Sequence, residues 1–271
     1  MADEVLRELD DAGVLLLTLH RPERNNAWTI EMEEAYFGAL IAASNDPAVR
    51  TIVVTGSGKS FCPGLDMVAL EAAAREGRSI ASHRRYPMTL ARFIPKPVIG
   101  AINGAAAGIG FIQASCCDIR FASTTAKFTS AFARRGLAAE NGVSWIVPKI
   151  VGAANAMDLL LSARVVLADE ALSMGLVNRV VEPDELLPRA LAYARDLAAN
   201  CSPAAMAAIK GQVLDDYERG AEEARLQALV INSEVIAGPD FQEGVTSFTE
   251  KRAAAFAGLS IDPAVQRGWY R

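Results

Sequence analysis

A short buried strand that runs into a glycine-rich turn is the sequence feature that most constrains this fold. Residues 98–102 are small or β-branched, which predicts a strand, and the glycines after Asn103 predict a turn that opens into a helix. The first turn of a helix leaves backbone N–H groups unpaired at the positive end of the helix dipole. Such a junction suits a phosphate group or a carbonyl oxygen that develops negative charge. A glycine-bearing packing corner is the alternative, because strand–glycine–helix junctions occur throughout α/β proteins.

A second strand with a similar turn lies earlier in the chain. Residues 51–56 predict another buried strand, and Phe61-Cys62-Pro63-Gly64-Leu65-Asp66 follows it before a helical run. Two turns at strand ends can each direct one backbone N–H at a single oxygen atom. The pair therefore favours an oxygen-binding site over a packing corner.

Alternating strand and helix signals along the chain predict an α/β fold. Thr29 is a good N-cap for a helix over 30–43, and Glu31, Glu33 and Glu34 suit the dipole of its first turns. The other predicted elements are a hairpin of residues 5–9 and 14–19, strands at 118–122 and 126–128, and helices at 186–200 and 204–238 around a break at 201–203. We predict a catalytic core over residues 1–200 and a helical C-terminal region over 201–271.

A helical segment over residues 67–93 is rich in basic side chains. A solvated helix face explains most such runs, and the alternative is that one or two of the side chains bind phosphate groups. The side chains concerned are Arg75, Arg78, His83, Arg84, Arg85 and Arg92.

Composition and charge narrow the class of protein. The 271 residues are 51% hydrophobic and carry a net charge of −5, which argues for an ordered core and against a nucleic-acid partner. No apolar run reaches membrane length, and the acidic start Met1-Ala2-Asp3-Glu4 is unlike a signal peptide, so we expect a cytoplasmic protein that binds no membrane. The four cysteines lack metal-ligand or disulfide spacing, and the chain lacks a Walker-type loop and a GxGxxG fingerprint. We therefore expect no metal and no nucleotide cofactor.

The two turns resemble those of the crotonase (enoyl-CoA hydratase/isomerase) superfamily, and so does the segment before them, Arg21-Pro22-Glu23-Arg24-Asn25-Asn26-Ala27. Further matches at Cys117-Asp118-Ile119-Arg120, 171–177 and 243–252 extend the resemblance over nearly the whole chain, in order. It implies a spiral of ββα units and a helical C-terminal region that packs between subunits of a homotrimer or a dimer of trimers. It also implies an acyl-CoA substrate, of which coenzyme A is a part rather than a cofactor.

The resemblance implies an oxyanion hole made by the backbone N–H groups of Leu65 and Ile109, each directly after a glycine of its turn. These donors would bind the thioester oxygen, and loss of one such donor typically costs about 3 kcal/mol of barrier. The residues that the resemblance places against the substrate or its CoA portion are Asn26, Ala27, Trp28, Cys62, Pro63, Gly64, Asp66, Gly108, Phe132, Phe248 and Lys251.

Ile112 and Phe132 stand where a family hydratase carries its two glutamates. Hydration of a 2-enoyl thioester needs a held water and a proton donor, which the family provides with those two carboxylates. Gln113, beside Ile112, cannot usefully exchange a proton. The sequence therefore departs from the hydratase pattern.

Glu140 is the carboxylate that the resemblance offers instead. Residues 136–145 are similar to the segment in which double-bond isomerases of the family place an Asp or Glu. A plain helix N-terminal charge is the alternative. We expect Glu140 to be partly desolvated beside Trp145 and Phe132, and to carry a proton between two carbons of a 3-enoyl thioester while the oxyanion hole holds the dienolate.

The leading prediction is a Δ3,Δ2-enoyl-CoA isomerase. One alternative is a 2-enoyl-CoA hydratase that uses Glu140 alone, and another is a non-catalytic acyl-CoA-binding protein. Cys62 is predicted to be a packed thiol rather than a nucleophile, because no histidine lies near it in sequence. Neither His20 nor His83 is flanked by a nucleophile elbow.

Overall fold

The computed structural model describes residues 3–68, 71, 75 and 84–261. The strands are β1 (Val5–Leu9), β2 (Val14–Leu19), β3 (Thr51–Gly56), β4 (Ser60–Cys62), β5 (Val98–Ile102), β6 (Ala105–Ala107), β7 (Ile119–Ser123), β8 (Lys127–Thr129), β9 (Val166–Leu167) and β10 (Arg179–Val181). The helices are Ile30–Asn45, Leu90–Phe93, Ile109–Cys116, Val143–Ser162, Ala168–Ser173, Leu186–Asn200, Pro203–Asp215, Ala221–Ala237 and Pro239–Glu250. Short 3-10 helices cover Pro22–Arg24, Ala133–Arg135 and Asp216–Glu218.

The strands form two sheets, and strands β3 to β8 alternate between them. The larger sheet has the order β1-β2-β3-β5-β7-β10, and the smaller has the order β4-β6-β8-β9. The pairs β3 and β4, β5 and β6, and β7 and β8 each give one strand to each sheet, and within each sheet these strands pair with one another in parallel. This alternation is the predicted spiral of ββα units.

One helix covers a face of the larger sheet with a single stripe of side chains. Leu186, Ala190, Ala194 and Ala198 recur every four residues along Leu186–Asn200, and all four are buried against the sheet. Residues four apart lie on the same side of a helix, and small alanines let the helix approach the sheet closely. The predicted helix over 186–200 is therefore confirmed.

The N-terminal hairpin and the first helix also follow the prediction. Strands β1 and β2 pair antiparallel, with Val5 opposite Leu19. Thr29 caps its helix, because its hydroxyl accepts a hydrogen bond from the N–H of Met32 at 3.0 Å. This helix runs two residues past the predicted end, to Asn45.

The single helix predicted over residues 204–238 is wrong. The structure has two helices there, Pro203–Asp215 and Ala221–Ala237, with a 3-10 turn between them. Gly220 is extended, with φ −74° and ψ 157°, and glycine is among the weakest helix formers. Arg219 pairs with Asp216 at 3.0 Å and stabilises the turn.

The prediction of a solvated helix face over 67–93 is only partly correct. Arg78 and His83 lie outside the described residues, while Arg75 and Arg85 are exposed as expected. Arg92 is buried, and the side chain of Arg84 is only 12% exposed because it forms an ion pair with Glu33. Residues 84–89 are also not helical.

The helix Val143–Ser162 is, among the described residues, the one that is long and apolar enough to cross a membrane by length and composition. Its first half is part of the core, where Val143, Ile146 and Val147 are buried. Gly152, with φ 77° and ψ 160°, bends the chain in the middle of this helix. The element is therefore two short helices joined at a kink.

The end of the described chain returns to the first helix. Arg50 donates a hydrogen bond to the carbonyl of Phe256 at 2.7 Å, and Ser260 donates one to the carbonyl of Asn45 at 2.7 Å. Ser202, at the predicted boundary, caps the next helix by accepting a hydrogen bond from the N–H of Ala205. The division into residues 1–200 and 201–271 stays a prediction.

Candidate active site

The two glycine turns meet through their backbones. Gly64 and Gly108 have φ values of +110° and +52°, which side-chain-bearing residues rarely adopt. A Cβ on Gly64 would lie 3.2 Å from the carbonyl oxygen of Ala107 and 4.0 Å from the Cα of Gly108. A side chain at either glycine would therefore strain its turn, and one at Gly64 would also crowd the carbonyl of Ala107.

The hydrogen bonds around these turns leave one N–H in each without a described partner. Trp28 donates its N–H to the carbonyl of Gly64 at 2.8 Å and accepts from the N–H of Asp66 at 3.0 Å. In such a parallel bridge, the N–H of Leu65 points away from Trp28. Ile109 is the first residue of its helix, so its N–H has no intrahelical partner. The two donors follow glycines that touch each other.

Two asparagine side chains hold the backbone behind the first turn. The amide nitrogen of Asn26 donates to the carbonyls of Ser57 and Ser60, at 2.8 and 2.7 Å. The amide of Asn103 also donates to Ser60, at 3.2 Å. Asn26 is fully buried and its oxygen accepts from the N–H of Arg21, so its side chain supports the site from within the protein.

Asp66 is held in an ion pair at the edge of the first turn. The N–H of Val68 donates to Asp66 at 3.0 Å, and Arg21 approaches it at 3.2 Å. These two contacts, in that order, hold the pKa of Asp66 below its ordinary value. An ionised carboxylate stabilised in this way is a weak base, so Asp66 is a poor candidate for proton transfer.

Several predicted substrate residues turn their side chains into the core. Trp28 and Cys62 are buried, and burial raises the pKa of the Cys62 thiol to about 12. Cys62 is therefore a packed, neutral thiol, and neither side chain is open to a ligand. Any contact of these two residues with a substrate would have to come from the backbone.

The two positions that the resemblance aligns with the glutamates of a hydratase are apolar and buried. Ile112 is fully enclosed, and Phe132 is 5% exposed. Gln113 is also buried and donates its amide to the carbonyl of Met88 at 2.9 Å. None of these three side chains can hold and activate a water molecule as a carboxylate pair does.

Glu140 lies in the loop between the 3-10 helix Ala133–Arg135 and the helix Val143–Ser162. The two residues after it, Asn141 and Gly142, are both left-handed, with φ of 53° and 76°. The carbonyl of Glu140 accepts from the N–H of Val143 at 3.1 Å, while its side chain is exposed. Its side chain forms no ion pair or hydrogen bond with the residues that the structure describes.

The expectation that Glu140 is partly desolvated beside Trp145 and Phe132 is wrong for the single chain, because the Glu140 side chain is exposed. The ring of Trp145 meets the ring of Tyr217 edge-on at 5.7 Å, and its N–H donates to Glu218 at 2.9 Å. The ammonium of Lys149 lies 4.3 Å from the centre of the same ring. Trp145 thus packs against Lys149 on its own helix and against two partners more than 70 residues later in the chain.

The last predicted contact residues lie on the C-terminal helices. Phe248 is 86% exposed, and Lys251 is exposed at the end of the helix Pro239–Glu250 with φ of 56°. Pro63 is exposed and Ala27 is half-buried beside the first turn. The role of each in binding CoA stays a prediction.

A buried ion pair beside the first turn was not anticipated from the sequence. Glu33 accepts from the indole N–H of Trp28 at 3.0 Å and from Arg84 at 3.1 Å. Glu33 looked like one of three helix N-terminal charges, and Arg84 like one of several exposed arginines. Tyr36 and Phe37 lie three and four residues after Glu33, on the same side of the helix, and both are buried. This spacing was the signal that could have separated Glu33 from Glu31 and Glu34.

The sequence matches a known protein family over most of its length. Residues 10–259 match the enoyl-CoA hydratase/isomerase family. The chain belongs to this family. Membership also places it in the crotonase superfamily, and it is an enzyme of the hydratase/isomerase type.

Relatives in this family carry out different reactions. The chain is 34% identical to a 1,2-epoxyphenylacetyl-CoA isomerase of Escherichia coli, over 92% of this chain and 96% of the relative. It is 46% identical to an enoyl-CoA hydratase from Mycobacterium marinum of known structure, with a TM-score of 0.69 over 80% of this chain and 100% of that one. An enoyl-CoA hydratase structure from Polaromonas is 31% identical, with a TM-score of 0.86 over 93% of this chain and 99% of that one. Both isomerase and hydratase names occur, so the reaction must be argued from the site.

Proposed function

We propose that this enzyme is a Δ3,Δ2-enoyl-CoA isomerase, which moves the double bond of an acyl-CoA thioester through an enolate. One observation carries the proposal. The N–H groups of Leu65 and Ile109 follow two glycines whose backbones lie close together, and neither has a described partner, while Ile112 and Phe132, which the resemblance aligns with the hydratase carboxylates, are buried and apolar. Glu140 supplies a carboxylate that no described residue engages.

In the proposed reaction, the thioester oxygen accepts hydrogen bonds from the N–H groups of Leu65 and Ile109. Glu140 removes a proton from the α-carbon, and the electron pair of that C–H bond enters a dienolate whose negative charge rests on the thioester oxygen. The protonated Glu140 then returns the proton to the γ-carbon, and the double bond is left between the α- and β-carbons. One base and two donors suffice, and the step needs no cofactor.

The exposed position of Glu140 in the single chain requires that the substrate itself excludes water from the carboxylate. An acyl chain beside Glu140 would replace water around it and strengthen its interactions with the reacting carbons. The backbones of residues 26–28 and 62–66 are proposed to border the CoA portion, with Phe248 and Lys251 near its nucleotide.

A hydratase is the second candidate, because the Mycobacterium marinum relative at 46% identity is named as one. The structure gives a physical reason to rank it second. Ile112 and Phe132 are too apolar to hold the attacking water, and Asp66 is already paired with Arg21.

Two spectrophotometric assays test the proposal. With a 3-enoyl-CoA as substrate, we expect the absorbance of the conjugated thioester to rise. With a 2-enoyl-CoA, we expect that absorbance to stay constant, because the proposed enzyme does not hydrate the double bond. Hydration would remove the conjugation and lower the absorbance. Rapid loss of absorbance in the second assay, with none gained in the first, would favour the hydratase.

We also propose that the enzyme is a homotrimer or a dimer of trimers. Leu226, Leu229 and Val230 on the helix Ala221–Ala237 are each about half exposed in the single chain, and adjacent apolar side chains of this size suit a subunit interface.

Replacing Leu229 with Glu should place a charge in that interface and shift the protein towards a 28.8 kDa monomer. Light scattering coupled to size-exclusion chromatography measures the molar mass. Gln227→Glu adds the same charge at an exposed polar position of the same helix and should leave the assembly intact. A wild-type protein that is already a monomer would contradict the proposal.

A further inference from the structure

The buried pair of Glu33 and Arg84 connects the two halves of the candidate site. At one end, Trp28 forms the backbone bridge that positions Leu65, and its indole N–H donates to Glu33 at 3.0 Å. Arg84 donates its Nε to the same oxygen of Glu33 at 3.1 Å. The side chains of Glu33 and Arg84 are 11% and 12% exposed. Water therefore has little access to this pair, and its geometry is well fixed.

At the other end, Arg84 reaches the loop that carries Glu140. Its Nη1 donates to the side-chain oxygen of Asn141 at 3.5 Å. Asn141 directly follows Glu140 and is left-handed, so the direction of the Glu140 side chain depends on how Asn141 is held. Hydrogen bonds at catalytic sites are often long before substrate binds and shorten afterwards.

We propose that Arg84 is a positioning residue that fixes the distance between the Glu140 loop and the Leu65 turn. This inference rests on the proposed function, in which Glu140 transfers the proton and Leu65 binds the oxygen. Arg84 contacts neither the carboxylate of Glu140 nor the N–H of Leu65. It acts through Asn141 on one side, and through Glu33 and Trp28 on the other.

The chemistry of the guanidinium explains why an arginine is needed. Its planar group presents Nε and Nη1 in fixed, divergent directions, so one side chain can bind Glu33 and Asn141 together. A lysine keeps the positive charge and can pair with Glu33, but a single ammonium cannot reproduce this fork. Arg84→Lys therefore removes the hydrogen bond to Asn141 but keeps a positive charge that neutralises the buried Glu33.

The test measures kcat, KM and thermal stability of Arg84→Lys with a 3-enoyl-CoA. We expect kcat to fall about tenfold or more with little change in KM, since misplacing a catalytic group affects the transition state more than ground-state binding. The melting temperature should stay close to that of the wild type. Arg225→Lys is the matched control, because it makes the same change in an exposed ion pair with Glu222 and should leave kcat unchanged.

A double-mutant cycle with Asn141→Gly completes the test. Glycine tolerates the left-handed backbone at residue 141 and removes the whole side chain, including the oxygen that accepts from Arg84. If Arg84 acts through Asn141, the double variant should lose no more kcat than either single variant. Additive losses, or a loss of activity that follows a fall in melting temperature, would show a merely structural ion pair and would overturn the inference.

Failure of the proposed function is distinguishable from failure of this inference. A wild-type enzyme that does not isomerise a 3-enoyl-CoA, or a Glu140→Gln variant that does so at full rate, would overturn both. An active wild type, an impaired Glu140→Gln and an unimpaired Arg84→Lys would overturn the positioning role alone.

Discussion

Replacing Glu140 with Gln should lower isomerase turnover by at least about two orders of magnitude, the usual share of general-base catalysis. The amide keeps the shape of the side chain and removes the proton acceptor. Because the N–H donors of Leu65 and Ile109 are backbone groups, acyl-CoA affinity should change little, so the loss should appear in kcat rather than in KM. Steady-state kinetics with a 3-enoyl-CoA, together with titration of a saturated acyl-CoA, measure the two effects.

Glu234→Gln provides the matched control for this variant. Glu234 is exposed on the helix Ala221–Ala237, and the same loss of charge there should leave turnover unchanged. A Glu140→Gln enzyme with wild-type kcat would remove Glu140 from the reaction. Hydration of a 2-enoyl-CoA at an ordinary enzymatic rate by that variant would further show that the reaction itself was assigned wrongly.

The variant Gly108→Val should lose at least about a hundredfold in turnover while remaining folded, in line with the loss of one oxyanion donor. Gly108 has φ of 52° and ψ of −114°, a conformation that a β-branched residue avoids. The turn must rearrange to relieve that strain, and the N–H of Ile109 then leaves its place beside Leu65. Turnover and a thermal melt followed by circular dichroism separate loss of the donor from loss of the fold.

Gly152→Ala tests whether strain alone explains such a loss. Gly152 also has a positive φ, of 77°, and a Cβ there would meet no atom within 4 Å. This variant should therefore lose some stability through strain at the kink and keep its turnover. Full activity in both Gly108→Val and Gly64→Val would exclude the two turns from the mechanism.

Elements with strong local signals could be predicted from the sequence. The helix Leu186–Asn200 has the predicted bounds because its apolar residues recur at helical spacing and a break follows at Ser202-Pro203. The cap at Thr29 followed from the residue type, since a hydroxyl before a helix accepts a backbone N–H. The pairing of the turns at Gly64 and Gly108 was a hypothesis from their places at strand ends, and the resemblance supported it, because no local pattern states which two turns meet.

Tertiary contacts account for the errors at the site. The ring of Trp145 turns towards Tyr217 and Glu218, and nothing near residue 145 in the sequence signals these two partners. Arg84 likewise looked like one of several surface arginines until the fold placed Glu33 and Trp28 next to it. Long-range pairing of polar side chains is the information that residue type and spacing do not carry.

The touching glycine turns have a consequence for how such an enzyme can change over evolution. The proposed donors are main-chain N–H groups whose placement depends on Gly64 and Gly108. Substitutions at other positions can therefore alter nearby side chains without removing these donors. In the proposed reaction, by contrast, proton transfer depends on side-chain identity at positions 112, 132 and 140. Mutation can therefore exchange one reaction for another at a few side chains while the means of stabilising the enolate is inherited unchanged. Related chains could thereby acquire new reactions in small steps, each of which starts from a folded protein that already activates a thioester.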